Sequence, residues 1–418
     1  MNALLKSAII VDSTNPKFHL KKRDILIRNG KIEKIANKIE VDNTVKTIAL
    51  KNLHVSLGWF DSSVSFGEPG FEERETITNG LRTASKSGFT DIVLNTNTYP
   101  TPSNRSNIVY LKDRSKGEVC NLHPMGCLSV NSQGELMAEL FDMSKAGAVA
   151  FSDYKHAIDN ANLFKIALQY TQNFGGTVLS FPHDSQLTGK AVMNEGKTST
   201  SLGLKGQPNL AEELRVNRDL FLLEYTGGSL HIPTISTAQS VKLISDAKKK
   251  GLNVSCSVAV HNLFLTDKKV EQFDANFKVN PPLRTEKDAK ALVKGIQNGT
   301  IDFITSDHSP IDIEEKRLEF DNAEFGTIGM ESTFGAINAL LGFEEAITLL
   351  TKRTKWSNIE TPEFQEGSKA CLTLFNPEGE YQFSEANVYS TSKNSAFYGE
   401  TLKGHVYGTI NNGKSQLN

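Results

Sequence analysis

The chain has 418 residues, 38% of them hydrophobic and 22% charged, with a formal net charge of −2. That length exceeds one small core and suits a large barrel domain with a satellite. The near-balanced charge gives no electrostatic case for nucleic acid or an anionic membrane surface as a partner. No run of about 18 apolar residues occurs, so no spanning helix is expected. The apolar start, Met1–Asp12, reads as a strand and not as a signal peptide. Lys248–Lys250, a run of three basic residues, reads as the solvated end of a helix. The cysteines Cys120, Cys127, Cys256 and Cys371 have no CxxC spacing; they are expected to be buried thiols of a cytoplasmic protein.

In chain order, residues 1–52 form a small β-unit, with an apolar run at Ala8–Asp12 and an alternating hairpin pattern around Asn29–Gly30. Strand-like runs then follow at Leu53–Ser65, Phe89–Asn97, Val119–Val130, Ala148–Asp153, Thr177–His183, Ser229–Ser236, Leu252–Val260 and Ile301–Asp307. Between most of them lies a helix-period segment ending in Gly, such as Glu75–Gly88, Glu135–Gly147, Ala211–Gly228 and Ala238–Gly251. This grammar predicts a (β/α)8 barrel over residues 53–364, whose site lies at the strand C-terminal ends. A doubly wound open sheet is the alternative, but no GxGxxG opens a helix. Two long polar stretches, Asp184–Leu210 and Ser309–Ile328, read as loops that line the mouth. Further short strands at Ala370–Phe375, Asn387–Ser390 and His405–Ile410 make residues 365–418 the second half of a composite β-sandwich built from both termini.

Chemistry is expected where strands end. Asp153, His183 and Asp307 sit at such ends, and imidazole plus carboxylate is the donor set a hydrolytic Zn2+ needs. As spacing alone gives it, that cluster is incomplete. His123 and His261 lie on or beside strands and read as satisfied core or rim histidines, and Trp59 as barrel packing.

The stretch Gly58–Gly70, ending in Gly67-Glu-Pro-Gly70, resembles the dihydroorotase signature Asp-x-His-x-His-x-Arg-Glu-Pro-Gly. Further segments are similar to the same family: Gly147-Ala-Val-Ala-Phe-Ser-Asp153, Val192-Met-Asn-Glu-Gly196, Lys278-Val-Asn-Pro-Pro-Leu-Arg284, Asp307-His-Ser-Pro310 and Glu324–Glu331. The resemblance covers nearly the whole chain and implies an amidohydrolase-type barrel. It also implies a set of site positions. Asp153, His183 and Asp307 hold retained metal-ligand places, Asp307 being the general base as well. Ser63, Ser65 and Thr234 stand where the family has histidine ligands. Asn97, Asn280, Phe325 and Gly326 match substrate-binding positions, whereas Gly67 replaces the Arg that holds the substrate carboxylate and Ile311 replaces a His. Of Asn95–Pro100, only Asn97 inherits a role.

Serine and threonine hydroxyls are poor Zn2+ ligands beside imidazole or carboxylate. The expectation is therefore a dihydroorotase-like protein with zinc weak or absent and no bound cofactor. It would act as a structural or regulatory partner, of aspartate transcarbamoylase or of an active dihydroorotase paralogue, and as a homodimer. Two alternatives stand beside it: an active dihydroorotase or related cyclic amidohydrolase with a reduced metal site, and a small-molecule binding barrel.

Overall fold

A computed structural model describes residues 1–353 and 359–418. Its centre is a closed ring of parallel strands. Trp59–Val64, Phe89–Leu94 and Asn121–Pro124 pair in sequence. Single bridges through Phe151 carry the ring on to Val178–Leu179, and Leu230–Ile232, Val254–Ala259 and Phe303–Thr305 follow. The ring closes where the Ser65 amide donates to the His308 carbonyl at 2.7 Å. Helices cover its outside, several of them begun by a threonine that caps its own first turn: Thr76, Thr237 and Thr285 each accept from a backbone amide three residues on.

The first strand-like run divides in two. His54–Leu57 pairs with Ala3–Ile10 and Leu372–Gln382 in the satellite sheet, and Trp59–Val64 enters the barrel. Gly58 is the crossing point. A Cβ there would fall 2.2 Å from the Thr90 hydroxyl oxygen, so only glycine lets the two sheets approach this closely. Trp59 packs as expected: it is fully buried, its ring tilted against Phe334 and Phe375, and its indole donates to Ser56 Oγ at 3.0 Å.

The satellite sheet runs in the order Lys414–Leu417, Thr401–Asn411, Leu372–Gln382, His54–Leu57, Ala3–Ile10, Lys22–Arg28 and Lys31–Ala36, with Lys46–Ile48 also on Ala3–Ile10. Both ends of the chain thus share one apolar core, in which Leu5, Ile10 and Ile25 meet Leu372, Leu374 and Ile410. Two expected features differ. Residues 387–390 are not a strand; a 3-10 turn, Glu385–Asn387, stands there. The stretch 184–210 is not a loop either, because it carries the helices Ser185–Thr188 and Lys197–Leu202 and a parallel pair, Met193–Asn194 with Gly206–Gln207. Buried Arg284 organises it, donating to Asn194 Oδ1 at 3.0 Å and the Gln207 carbonyl at 2.8 Å. Among the described residues no helix is long and apolar enough to cross a membrane, and all four cysteines are free and buried.

Candidate active site

The first strand delivers Asp61, Ser63 and Ser65 to the barrel mouth, all buried. Asp61 is a scaffold group. It accepts from Thr305 Oγ1, the Ser306 amide and the Ser63 amide, which ties the first strand to the last. Burial pushes its carboxyl up to about 6, and hydrogen bonds from Ser306 and Thr305 temper the rise.

The serines join a polar ladder. Asn95 Nδ2 donates to Ser63 Oγ at 3.1 Å and to Ser65 Oγ at 3.0 Å, and Ser65 Oγ donates to Asn97 Oδ1 at 2.9 Å. Ser63 Oγ also donates to Asp307 Oδ1 at 3.3 Å. The other oxygen of Asp307 is held by an ammonium, Lys155 Nζ at 2.9 Å, and this pair is largely out of solvent, with side chains 16% and 3% exposed. Burial alone would push the lysine down. The Asp307 carboxylate more than reverses this and, with Tyr154, holds Lys155 above its ordinary value. Only about 20 Å³ of cavity remains among Ser63, Asn95, Lys155, Thr234 and Asp307, room for about one water.

The other expected donors face elsewhere. Asp153 accepts from the Leu128 and Ser129 amides at 2.9 Å each and from Ser129 Oγ, so it closes the loop after the third strand. Burial raises its carboxyl, and those bonds oppose the rise. His183 stacks on Phe181, with centroids 5.8 Å apart, and burial followed by the nearby Arg215 charge lowers its pKa. Its Nδ1 is buried without a hydrogen bond among the described residues. No group of three His, Cys, Asp or Glu side chains able to hold a metal ion occurs among the described residues. Thr234 has a left-handed backbone, φ 48°, and its amide donates to Ser257 Oγ, which His231 Nε2 also meets at 3.2 Å.

Of the substrate positions, Gly326 donates its amide to the Lys278 carbonyl at 3.0 Å, and Phe325 lies under the Lys278 ammonium at 4.8 Å. The Asn280 side-chain oxygen is buried with no hydrogen bond among the described residues. Ile311 is buried, packed where a Cβ on Gly326 would come within 2.9 Å of it. Gly67 cannot take a side chain in this backbone, since its Cβ would lie 1.6 Å from the Phe71 carbonyl oxygen. Gly67→Ala is therefore expected to cost about 1–3 kcal/mol, read as a lower urea midpoint at unchanged slope. A midpoint equal to the parent's would show that the turn yields freely. His123 Nε2 pairs with Asp91 Oδ1 at 3.0 Å, as a satisfied rim histidine does. His261 departs from that expectation: it is fully buried, and neither ring nitrogen has a hydrogen bond among the described residues.

A dihydro-orotase-like family model matches residues 54–240. A dihydroorotase of Pelotomaculum thermopropionicum is 38% identical across 99% of this chain and 98% of its own. This chain belongs to the dihydroorotase family. A second dihydroorotase, of Syntrophus aciditrophicus, is 37% identical over 99% of both chains. Among solved structures, an L-hydantoinase (dihydropyrimidinase) from Arthrobacter aurescens superposes with a TM-score of 0.85 at 21% identity, covering 99% of this chain and 96% of its own, a likeness of fold. The (β/α)8 amidohydrolase-type barrel with its β satellite is thus the family's architecture. The dihydroorotase family comprises hydrolases acting on cyclic amides. Two residues at this mouth, Lys155 and Asn95, lie outside the motif positions. Lys155 lies two places beyond Asp153, where a lysine in a turn carries no sequence signal, and Asn95 precedes the Asn97 position by two.

Proposed function

We propose that this chain is a dihydroorotase-family barrel of pyrimidine biosynthesis that lacks zinc-dependent hydrolysis of dihydroorotate and serves as a non-catalytic partner. Aspartate transcarbamoylase or an active dihydroorotase is the candidate enzyme it assists. The observation that carries this reading is the Lys155 ammonium on Asp307. Both Asp307 oxygens are engaged, one by the Lys155 ammonium and one by the Ser63 hydroxyl, so the carboxylate at the family's base position is committed to an ion pair with a lysine.

The donors present do not fit a zinc centre. Asp153 is spent on the Leu128 and Ser129 amides, and Ser63, Ser65 and Thr234 offer neutral hydroxyls in place of imidazole. A divalent cation about 4 Å from a lysine ammonium would also meet repulsion of roughly twice the ~4 kcal/mol that unit charges feel at an effective dielectric near 20. Gly67 leaves the carboxylate of a dihydroorotate-like substrate without its guanidinium fork, and the 20 Å³ left at Asp307 admits no ring.

The test measures metal content and dihydroorotate turnover on one purified preparation, with aspartate transcarbamoylase and, in a second run, an active dihydroorotase added as bait. The expected result is substoichiometric zinc, no turnover above background and co-elution with the bait. Stoichiometric zinc with turnover would overturn the non-catalytic reading. Failure to co-elute with either candidate enzyme would overturn the partner assignment.

A further inference from the structure

The polar stretch 309–328 carries a one-turn helix, Ile313–Lys316, capped by the Asp312 side chain. Lys316 ends that turn 6% exposed, and Lys278 beside it is 2% exposed. Among the described residues both lysines answer to backbone oxygens and not to carboxylates. Lys316 Nζ donates to the Glu324 carbonyl at 2.8 Å and the Lys278 carbonyl at 3.3 Å, and Lys278 Nζ donates to the Asp321 carbonyl at 2.9 Å. Burial, followed by the Lys278 charge, lowers the Lys316 pKa to about 7. Lys155 adds to the lowering, while Asp274 and Glu324 oppose it.

Two acceptors are what a neutral amine needs. An ammonium has three N–H donors, and here the third would have no partner among the described residues. The neutral amine has two donors, both spent on carbonyls, and a lone pair left over. Lys316 lines a cavity of about 570 Å³, a size that holds a small organic molecule. Ile311, Ile313 and Leu318 give the cavity apolar walls, and it shares no residue with the small space at Asp307. Its charged lining is mixed, Glu73, Asp274, Asp312 and Glu385 against Arg317 and Lys393, and selects neither sign of ligand. Tyr398 lines it as well. The Tyr398 hydroxyl is buried without a hydrogen bond among the described residues, and burial pushes its pKa up to about 12, so it keeps its proton. A desolvated amine beside a second cation is the arrangement that activates lysine as a nucleophile. We propose that Lys316 takes an aldehyde or ketone in this cavity as an imine, with the Tyr398 hydroxyl donating to the carbonyl oxygen. The nitrogen lone pair forms the bond to the carbonyl carbon, one amine proton passes to the carbonyl oxygen, and that oxygen leaves as water with the second. No oxidant or reductant takes part. This inference is independent of the reading of the barrel mouth.

The full chain is treated with pyridoxal, imines are trapped with cyanoborohydride, and the labelled peptides are mapped by mass. At pH 7 about half of Lys316 is neutral, against roughly one part in 2,500 of a lysine at its ordinary value. Lys316 is expected to be labelled at least about tenfold faster than the exposed lysines. Its rate should saturate with pyridoxal concentration, rise with pH and level off above about 7. Lys278→Met, which removes the neighbouring charge, should move that bend upward. Tyr398→Phe should slow labelling by at least about tenfold and leave the bend in place. Lys316→Arg should lose the fast label; if these variants misfold, the labelling map and pH profile of the parent protein decide alone. Label confined to exposed lysines, a bend near 10.5, or a rate linear in pyridoxal would each overturn the proposal. Labelling of Tyr398→Phe at the parent's rate would overturn the part given to its hydroxyl.

Discussion

Lys155→Met is expected to be the most damaging single substitution at the barrel mouth, costing about 3–5 kcal/mol, because it strips the counter-ion from a buried carboxylate. Asp307 is 3% exposed, and its remaining partner among the described residues is the Ser63 hydroxyl at 3.3 Å. A neutral hydroxyl does not replace an ammonium 2.9 Å away. The double variant Lys155→Met/Asp307→Asn removes both charges and should recover most of the loss, since exchanging a buried pair for neutral groups of similar size is often close to neutral. Urea unfolding of the parent, both single variants and the double variant closes the cycle, and a coupling energy of at least about 2 kcal/mol is expected. A Lys155→Met protein with the parent's midpoint would mean that the ammonium does not hold Asp307, and the proposed function would lose its main support. The pair also has a pH signature. Lys155 titrates above its unfolded value, so its contribution is complete below about pH 10.5 and is lost as pH rises through the folded value.

This pair also shows where the amino-acid sequence stops being informative. The alternation of apolar runs and helices ending in glycine predicts the barrel because strand and helix periods are local properties. The composite satellite was foreshadowed by two β-rich ends, although Leu53–Ser65 read as one strand when Gly58 divides it between two sheets. The expectation that Ser63, Ser65, Thr234 and Gly67 stand at altered positions rests on the family frame kept by the residues around them. The direction of each side chain was not legible. Asp153 is expected from sequence at a ligand place, yet its carboxylate accepts from amides 24 and 25 residues earlier, and Lys155 meets Asp307 across 152 residues. Contacts of that span depend on how strands are arranged around a closed ring, and no local pattern encodes them. The family-like segments Val192–Gly196 and Lys278–Arg284 are scaffold in part, joined through Arg284 and Asn194. A motif match therefore marked a packing requirement as readily as a chemical one.

Mild acid is expected to unfold this protein through histidines that the fold keeps neutral. Burial lowers His231 to about 3 and His261 and His308 to about 4. Around them, Lys248 adds to the lowering at His231, Asp307 opposes it and Lys155 adds to it at His261, and Glu75 and Asp307 oppose it at His308. In the unfolded chain each takes a proton near pH 6.5, so below that pH the unfolded state binds protons that the folded state refuses. Each histidine then removes about 1.4 kcal/mol per pH unit, roughly 2 kcal/mol apiece by pH 5. Asp61 works the other way. Its carboxyl titrates near 6 in the fold, so between about pH 6 and 4 the folded state gains a proton first and recovers about 1.4 kcal/mol per unit. The net loss between pH 7 and pH 5 is about 4–5 kcal/mol, against a total stability of about 5–15 kcal/mol for proteins generally. Urea midpoints at constant slope should fall steadily over that range. His261→Phe, which fills a site where neither ring nitrogen is hydrogen-bonded among the described residues, should make the fall shallower by about one proton. A midpoint that stays flat from pH 7 to pH 5 would show that these imidazoles are protonated in the fold, with a partner or a solvent path in reach.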